Sequence, residues 1–407
     1  MDAPATADLP AAISAYAARF HAAVGAHQHV ASPLGAYLLL GLLAPLTAGD
    51  ERAALERVLG VTADDAHRAA LTLLRFPHPA VGLALSVWHD AALEHTRIGG
   101  WLRDLPRGLA RAGIPARPEL DRWAHEATRG LIPRFPIQID ERTVLLLASA
   151  LATREHWIDP FDVVESHRLG AHAWPSLRTA LLDQSAARPI VRTASAGLVG
   201  ASSARSTNSL LVISVVAEPS VTPATAVAAA HEVARLACGL PCEASVPSLF
   251  DLPADGHAWS IEERAIDTAE PDERRETAAI VIPAWTVQHT VDLAGDPAFG
   301  FALADDAVRR ALPPIPEGYI VEARQTASAT FGQYGFEAGA VTAYGVATFA
   351  IQRPRHRGLL RHATVRFARP FAVVAVVSAP DTQWNGVPVF SGWITTPMEA
   401  DEAATPG

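Results

Sequence analysis

The sequence predicts a large α+β fold, on three observations. Helical patterns crowd the first quarter of the chain, and apolar runs of strand length are spread through the remainder. One stretch, Phe331 to Phe371, opens with a small-residue-rich, nearly uncharged run, Phe331-Gly-Gln-Tyr-Gly-Phe-Glu-Ala-Gly-Ala-Val-Thr-Ala343. That run is too poor in large aliphatic side chains for a core strand and too apolar for an ordinary solvated loop. Such a profile suits a segment exposed in one state and buried in another. The 407 residues suffice for one large domain or two. A hydrophobic share of 49% against 19% charged residues gives a globular chain.

Asp8 to Ala26 reads as an amphipathic helix, with Ile13, Ala17, Phe20 and Val24 on one face. Ser32 is placed to cap a second helix that has Pro33 at its first position. Leu34, Tyr37, Leu38, Leu39, Leu40, Leu42 and Leu43 make this helix apolar nearly all round, which puts it at the centre, and Gly41 admits a close neighbour. Short helices follow from Asp50 to Leu59, closed by Gly60, and from Asp64 to Leu74. Leu83 to Trp88 is strand-like. Val144 to Ala152, apolar except for Ser149, has the composition of a strand covered on both faces. Pro175 to Asn208 is polar and gives little signal. Ser209 to Ala217 is a further strand, and Thr222-Pro223 opens a helix running to Gly239. Ile261 to Glu276 is charged and reads as exposed. Ile320 to Phe331, Phe371 to Val377 and Val387 to Ile394 read as strands, and 398–407 as a disordered tail.

The net charge of −10 and the absence of a basic run exclude a nucleic-acid binder. All 33 basic residues are Arg, which we read as a GC-rich coding bias. Cys238 and Cys242 alone form no disulfide framework and read as buried thiols. The first residues lack the basic and apolar regions of an export signal, and the longest apolar run, Leu34 to Leu46, is too short to cross a bilayer. On its own evidence the chain reads as cytoplasmic. No nucleotide-binding, nucleophile-elbow or zinc-protease motif is present, and no cofactor is expected. His27-x-His29 with His21 lacks supporting carboxylates or thiols at ligand spacing and reads as surface or hydrogen-bonded histidine.

Several stretches, in order, resemble one family. Ser32-Pro-Leu-Gly35 and the run to Leu59-Gly60 are similar to its second and third helices. Trp123, Thr128 and Ile132 match a helix end. Thr143 to Trp157 with Pro160-Phe161 matches a central strand, although its F-K-G is Thr153-Arg-Glu155 here. Ala279 to Trp285, and Phe390-Ser-Gly-Trp-Ile-Thr-Thr-Pro397, match the last strands. The family is the serpins, and the order and spacing of the matches resemble a divergent bacterial member in which 1–397 is a single domain.

The resemblance implies a serpin fold with a large central mixed sheet, smaller sheets, about eight or nine helices and an exposed reactive loop. It implies no enzyme but a monomeric suicide inhibitor of a chymotrypsin-, subtilisin- or trypsin-like serine protease, with no membrane partner. An extracellular setting is the family's alternative. In such an inhibitor the cleaved loop enters the main sheet as a strand. The corresponding hinge is Gly335, Phe336, Glu337, Ala338, Gly339, Ala340, Val341 and Thr342. Phe336 stands where the family has Thr or Ser, and Gln333 where it has an acid. Counting forward from Gln333 puts the scissile bond at Phe349–Ala350, and counting back from Phe367 puts it at Leu359–Leu360; Arg357 offers a trypsin-like site. The region where the sheet opens corresponds to Ser32, Gly35, Ser149 and Gln325. The rival expectation is a serpin fold used for binding, with a loop that does not insert.

Overall fold

Asp8 starts the first helix by accepting the Ala11 N–H at 3.0 Å, and α1 runs Leu9–Val24. After β1 (His29–Ala31), Ser32 caps α2 (Pro33–Leu43), every residue of which is buried. α3 (Gly49–Leu59) ends at Gly60 with φ +75°, and Thr62 caps α4 (Ala63–Arg75). A Cβ at Gly41 would lie 2.8 Å from the Ala66 carbonyl oxygen, so only glycine lets α2 and α4 come this close. The computed structural model describes residues 8–128, 130, 134–135, 139, 143–153, 155–170, 173–312, 323–336 and 356–400.

β2 (Gly82–His89), α5 (Arg97–Asp104), β3 (Ala110–Ala112), α6 (Arg117–Ala127) and β4 (Leu145–Ala152) come next. β5 (Glu155–His156), β6 (Asp162–Glu165), β7 (Thr179–Asp183), β8 (Ile190–Thr193), β9 (Gly197–Arg205), β10 (Leu210–Val216) and α7 (Pro223–Ala237) follow. The chain continues through β11 (Trp259–Thr268), β12 (Arg274–Ile282), β13 (Trp285–Asp292), α8 (Phe301–Ala311) and β14 (Arg324–Phe331). It closes with β15 (Gly335–Phe336), β16 (His356–Arg366), β17 (Phe371–Val377) and β18 (Pro388–Ile394). No helix among the described residues is long and apolar enough to cross a membrane.

The chain packs as two units. One comprises the chain up to Thr153 with Val287–Ser328 and Val374–Gly392. In it, β2 is the middle of three strands, parallel to β3 and antiparallel to β4, with Leu85 opposite Ser149. Trp88, Leu120, Ala124, Phe135, Leu146 and Ala148 form a core between this sheet and α6. The other unit comprises Arg154–Thr286, Ala329–Val373 and the chain from Trp393. It holds the antiparallel run β8–β9–β10 and a mixed five-stranded sheet in the order β11–β16–β12–β7–β6. In that sheet β16 is antiparallel to β11 and parallel to β12.

Three expectations change. Ile261 to Glu276, read only as exposed, supplies most of β11 and the start of β12. Its charges are exposed, as expected, and only Ile261 and Thr268 within it are buried. The basic stretch around Arg357 and Arg361, read as loop, is β16. Arg361 Nε donates to Glu263 at 2.8 Å, and its guanidinium lies over the Phe250 ring. The tail is fastened at its start. Met398 N donates to Ala284 O at 2.9 Å, and the Glu399 carboxylate accepts from the Arg178 and Thr179 N–H groups and from Thr179 Oγ1. Ala400 is fully buried. The remaining tail, 401–407, lies outside the described residues.

Candidate functional site

The four residues expected where the sheet opens do converge, at the N-terminus of α2. Ser32 Oγ accepts the Gly35 N–H at 3.3 Å and donates to Val389 O at 2.8 Å. The Gln325 amide grips the Ser32 backbone from both ends: Oε1 accepts Ser32 N–H and Nε2 donates to Ser32 O, each at 2.8 Å. This also settles which way round the amide sits, because the carbonyl oxygen of Ser32 can only accept. A Cβ at Gly35 would meet Ser149 Oγ at 3.1 Å and Gln325 Nε2 at 3.4 Å, so the glycine lets both side chains close over the helix end.

Ser149 lies on β4 and Gln325 on β14. β4 pairs with β2 on one edge, and β14 pairs with β13, where Thr290 and Thr326 hydroxyls meet at 2.8 Å. Among the described residues no ladder joins β4 to β14. The interval between these two eight-residue strands, which meet through Ser149 and Gln325 at Gly35, is a seam: among the described residues one edge of each strand is in no ladder.

In the other unit, the chain leaving β14 is tied down before it reaches residue 337. Trp157 Nε1 donates to Gly332 O at 3.0 Å, Trp157 N to Tyr334 O at 2.9 Å, and Phe161 N to Gln333 O at 3.0 Å. Gly335 and Phe336 then form β15, antiparallel to His156 and Glu155 of β5. Gly335 is thus held in a strand pair. Phe336 is 3% exposed and sits edge-on to Trp285, which stacks on Phe331; Phe331 in turn meets Trp157 and Phe161. Beside it Glu155 is buried, with Oε1 accepting from Asn208 Nδ2 at 3.2 Å and Oε2 without a partner among the described residues. Sequence reasoning noted Glu155 only as a departure from F-K-G and missed the aromatic box. Its signal was the density of aromatics at Trp157, Phe161, Trp285 and Phe331.

The remaining hinge positions Glu337, Ala338, Gly339, Ala340, Val341 and Thr342, with the bond Phe349–Ala350, lie outside the described residues. Leu359, Leu360 and Arg357 lie inside β16. Leu359 is opposite Ala265 on one side and Arg274 on the other, and Leu360 opposite Arg264 and Arg275. Arg357 is opposite Asp267. A protease binds its substrate as an extended strand by its backbone, and a strand already paired on both edges has none to offer. Leu359 and Leu360 are paired on both edges and Arg357 on the β11 edge, so in this conformation the sheet takes up their backbone.

No family model and no curated protein matches the sequence. Solved structures do. A thermophilic serpin, Tengpin, in its native state aligns over 97% of this chain and 95% of its own, with a TM-score of 0.66 and 14% identity. Thyroxine-binding globulin in complex with thyroxine aligns over 96% and 99%, with TM-score 0.61 and 13% identity. Serpin48 of the insect Tenebrio molitor aligns over 98% and 100%, with TM-score 0.59 and 13% identity. The chain has the serpin fold. The matched motifs fall on α2, on α6, on β4, on β12 and on β18, and of these α2, β4 and β18 carry Ser149 and Val389 or are capped by Ser32. The likeness is one of fold.

Proposed function

We propose that the chain is a serpin-type suicide inhibitor of a serine protease with a chymotrypsin- or subtilisin-like preference. The observation that carries this reading is the seam between β4 and β14 over the polar floor of Ser32, Gly35, Ser149 and Gln325. A strand entering it would gain ladder hydrogen bonds on both edges. Residues 337–344 match the eight-residue length of the flanking strands, and Ala338, Ala340 and Thr342 are small on one face. With Leu359–Leu360 and Arg357 held in β16, Phe349–Ala350 is the proposed scissile bond. The protease serine Oγ adds to the Phe349 carbonyl carbon, the C–N bond to Ala350 breaks, and the released amine takes the proton. Insertion then competes with hydrolysis of the resulting ester.

The test is incubation with chymotrypsin, subtilisin and trypsin followed by denaturing gels. A covalent high-mass band with chymotrypsin or subtilisin is expected, lost in Phe349→Gly and moved toward trypsin in Phe349→Arg. Nicking without a complex at every ratio of protein to protease would sink the inhibitory reading.

One observation favours a second reading, a serpin fold used for binding. Phe336 is already lodged against Trp285, and pulling it out to begin insertion would expose a buried aromatic at about 2–3 kcal/mol. On this reading cleavage at 349 leaves the melting temperature unchanged, whereas insertion raises it by tens of degrees. Phe336→Thr separates the two further, because it raises the yield of covalent complex only if insertion occurs.

A further inference from the structure

A histidine array in the first unit carries an inference independent of the loop. Its partners can be assigned by donor logic alone. His29 Nδ1 lies 2.8 Å from the carbonyl oxygen of His27, which can only accept, so His29 carries its proton on Nδ1. His29 Nε2 is then an acceptor, and His21 Nδ1, at 2.7 Å, donates to it. His21 Nε2 accepts in turn from Ser391 Oγ at 2.6 Å. This neutral relay uses both nitrogens of His21 and of His29 and holds the backbone at His27 in place.

The His27 ring is outside the relay. It is exposed, and its Nε2 faces Nε2 of His289 on β13 at 3.1 Å, with ring centroids 5.1 Å apart. We propose that His27 and His289 form a two-imidazole site for a divalent transition-metal ion of the zinc, nickel and copper group. Two nitrogens 3.1 Å apart, each about 2.0–2.1 Å from a shared ion, subtend about 100° at it, between the square and tetrahedral values. Imidazole suits these ions. The relay fixes the backbone at His27, while Nδ1 of His289 has no partner among the described residues. The described residues hold no group of three His, Cys, Asp or Glu that could share one ion. His29 is close, but its nitrogens are committed, so water completes the coordination. The site therefore follows the copper-over-zinc order of unconstrained nitrogen ligands. From the sequence no metal was expected here, and spacing could not show this pair, because the second ligand lies 262 positions from the first.

The untagged full chain is titrated calorimetrically with Cu2+, Ni2+ and Zn2+, and the copper complex is examined by electron paramagnetic resonance. One ion per chain is expected, with hyperfine structure from two nitrogens and the tightest binding for copper. His27→Gln and His289→Gln are each expected to lower affinity at least about tenfold. Circular dichroism identical to the parent protein shows that either variant is folded, and His27 is exposed enough that its replacement disturbs no core. Absence of binding at millimolar copper overturns the proposal. So does an affinity left unchanged by either substitution, which places the ion elsewhere, for example at Cys238 and Cys242.

Discussion

Gln325 does more at the α2 N-terminus than any other single side chain. Its amide satisfies both the N–H and the C=O of Ser32, and it is 3% exposed. Gln325→Ala leaves the Ser32 N–H buried without that partner, at about 1–3 kcal/mol. Gln325→Glu keeps the acceptor but sets a carboxylate oxygen against the Ser32 carbonyl, and it should destabilise further. Urea denaturation of the two variants checks both the size and the order; equal stability to the parent would remove this residue from the floor of the seam. Residue-scale features of this kind were partly legible. Ser32 and Pro33 announce a cap because a cap is a local event. Ser149, Gly35 and Gln325 were found through resemblance, since no local rule says that a serine on one strand and a glutamine on another will meet. Glu155 and Phe336 were seen as departures, but their burial depends on Trp285 and Asn208, far away in the chain.

At the level of elements, the contrast between β4 and β16 is instructive. β4 announced itself by an apolar run broken only by Ser149. β16 did not, because its exposed positions carry His356, Arg357 and Leu359, Arg361 is half-buried, and its neighbours β11 and β12 are rich in charge. Its signal is alternation, with Gly358, Leu360, Ala363 and Val365 buried, interrupted by basic residues that look like loop. The pairing on both edges has a direct consequence for proteolysis. Under native conditions, early trypsin or chymotrypsin cuts should spare Arg357, Leu359, Leu360 and Arg361, as read by mass spectrometry of the fragments. Early cleavage after Leu360 would show that β16 is not held as described.

For the molecule as a whole, acid should act through one buried histidine. His231 on α7 is buried, neither ring nitrogen has a partner among the described residues, and burial pushes it down to about 3. Its folded value lies below the ordinary 6.5, so the unfolded chain binds the proton more readily. The neutral ring's contribution is complete above pH 6.5 and is lost as pH falls toward 3. Two pH units below 6.5 this amounts to about 2.7 kcal/mol. The parent protein should therefore lose about that much more stability than His231→Leu when denaturation curves are compared at neutral pH and two units below 6.5. Parallel losses in the two proteins would assign the acid response to other groups.

The strand order of the mixed sheet also bears on how the chain is made. β11 and β12 are neighbours in sequence, and a turn of a few residues joins them, yet β16 lies between them. During synthesis both emerge well before β16, with facing edges and opposite directions, and the nearest available partner for each is the other. A nascent hairpin formed that way must reopen to admit the later strand. The sheet cannot close until Arg366 has left the ribosome, so its completion is late and non-local, and the interval before it is when this chain is most exposed to mispairing.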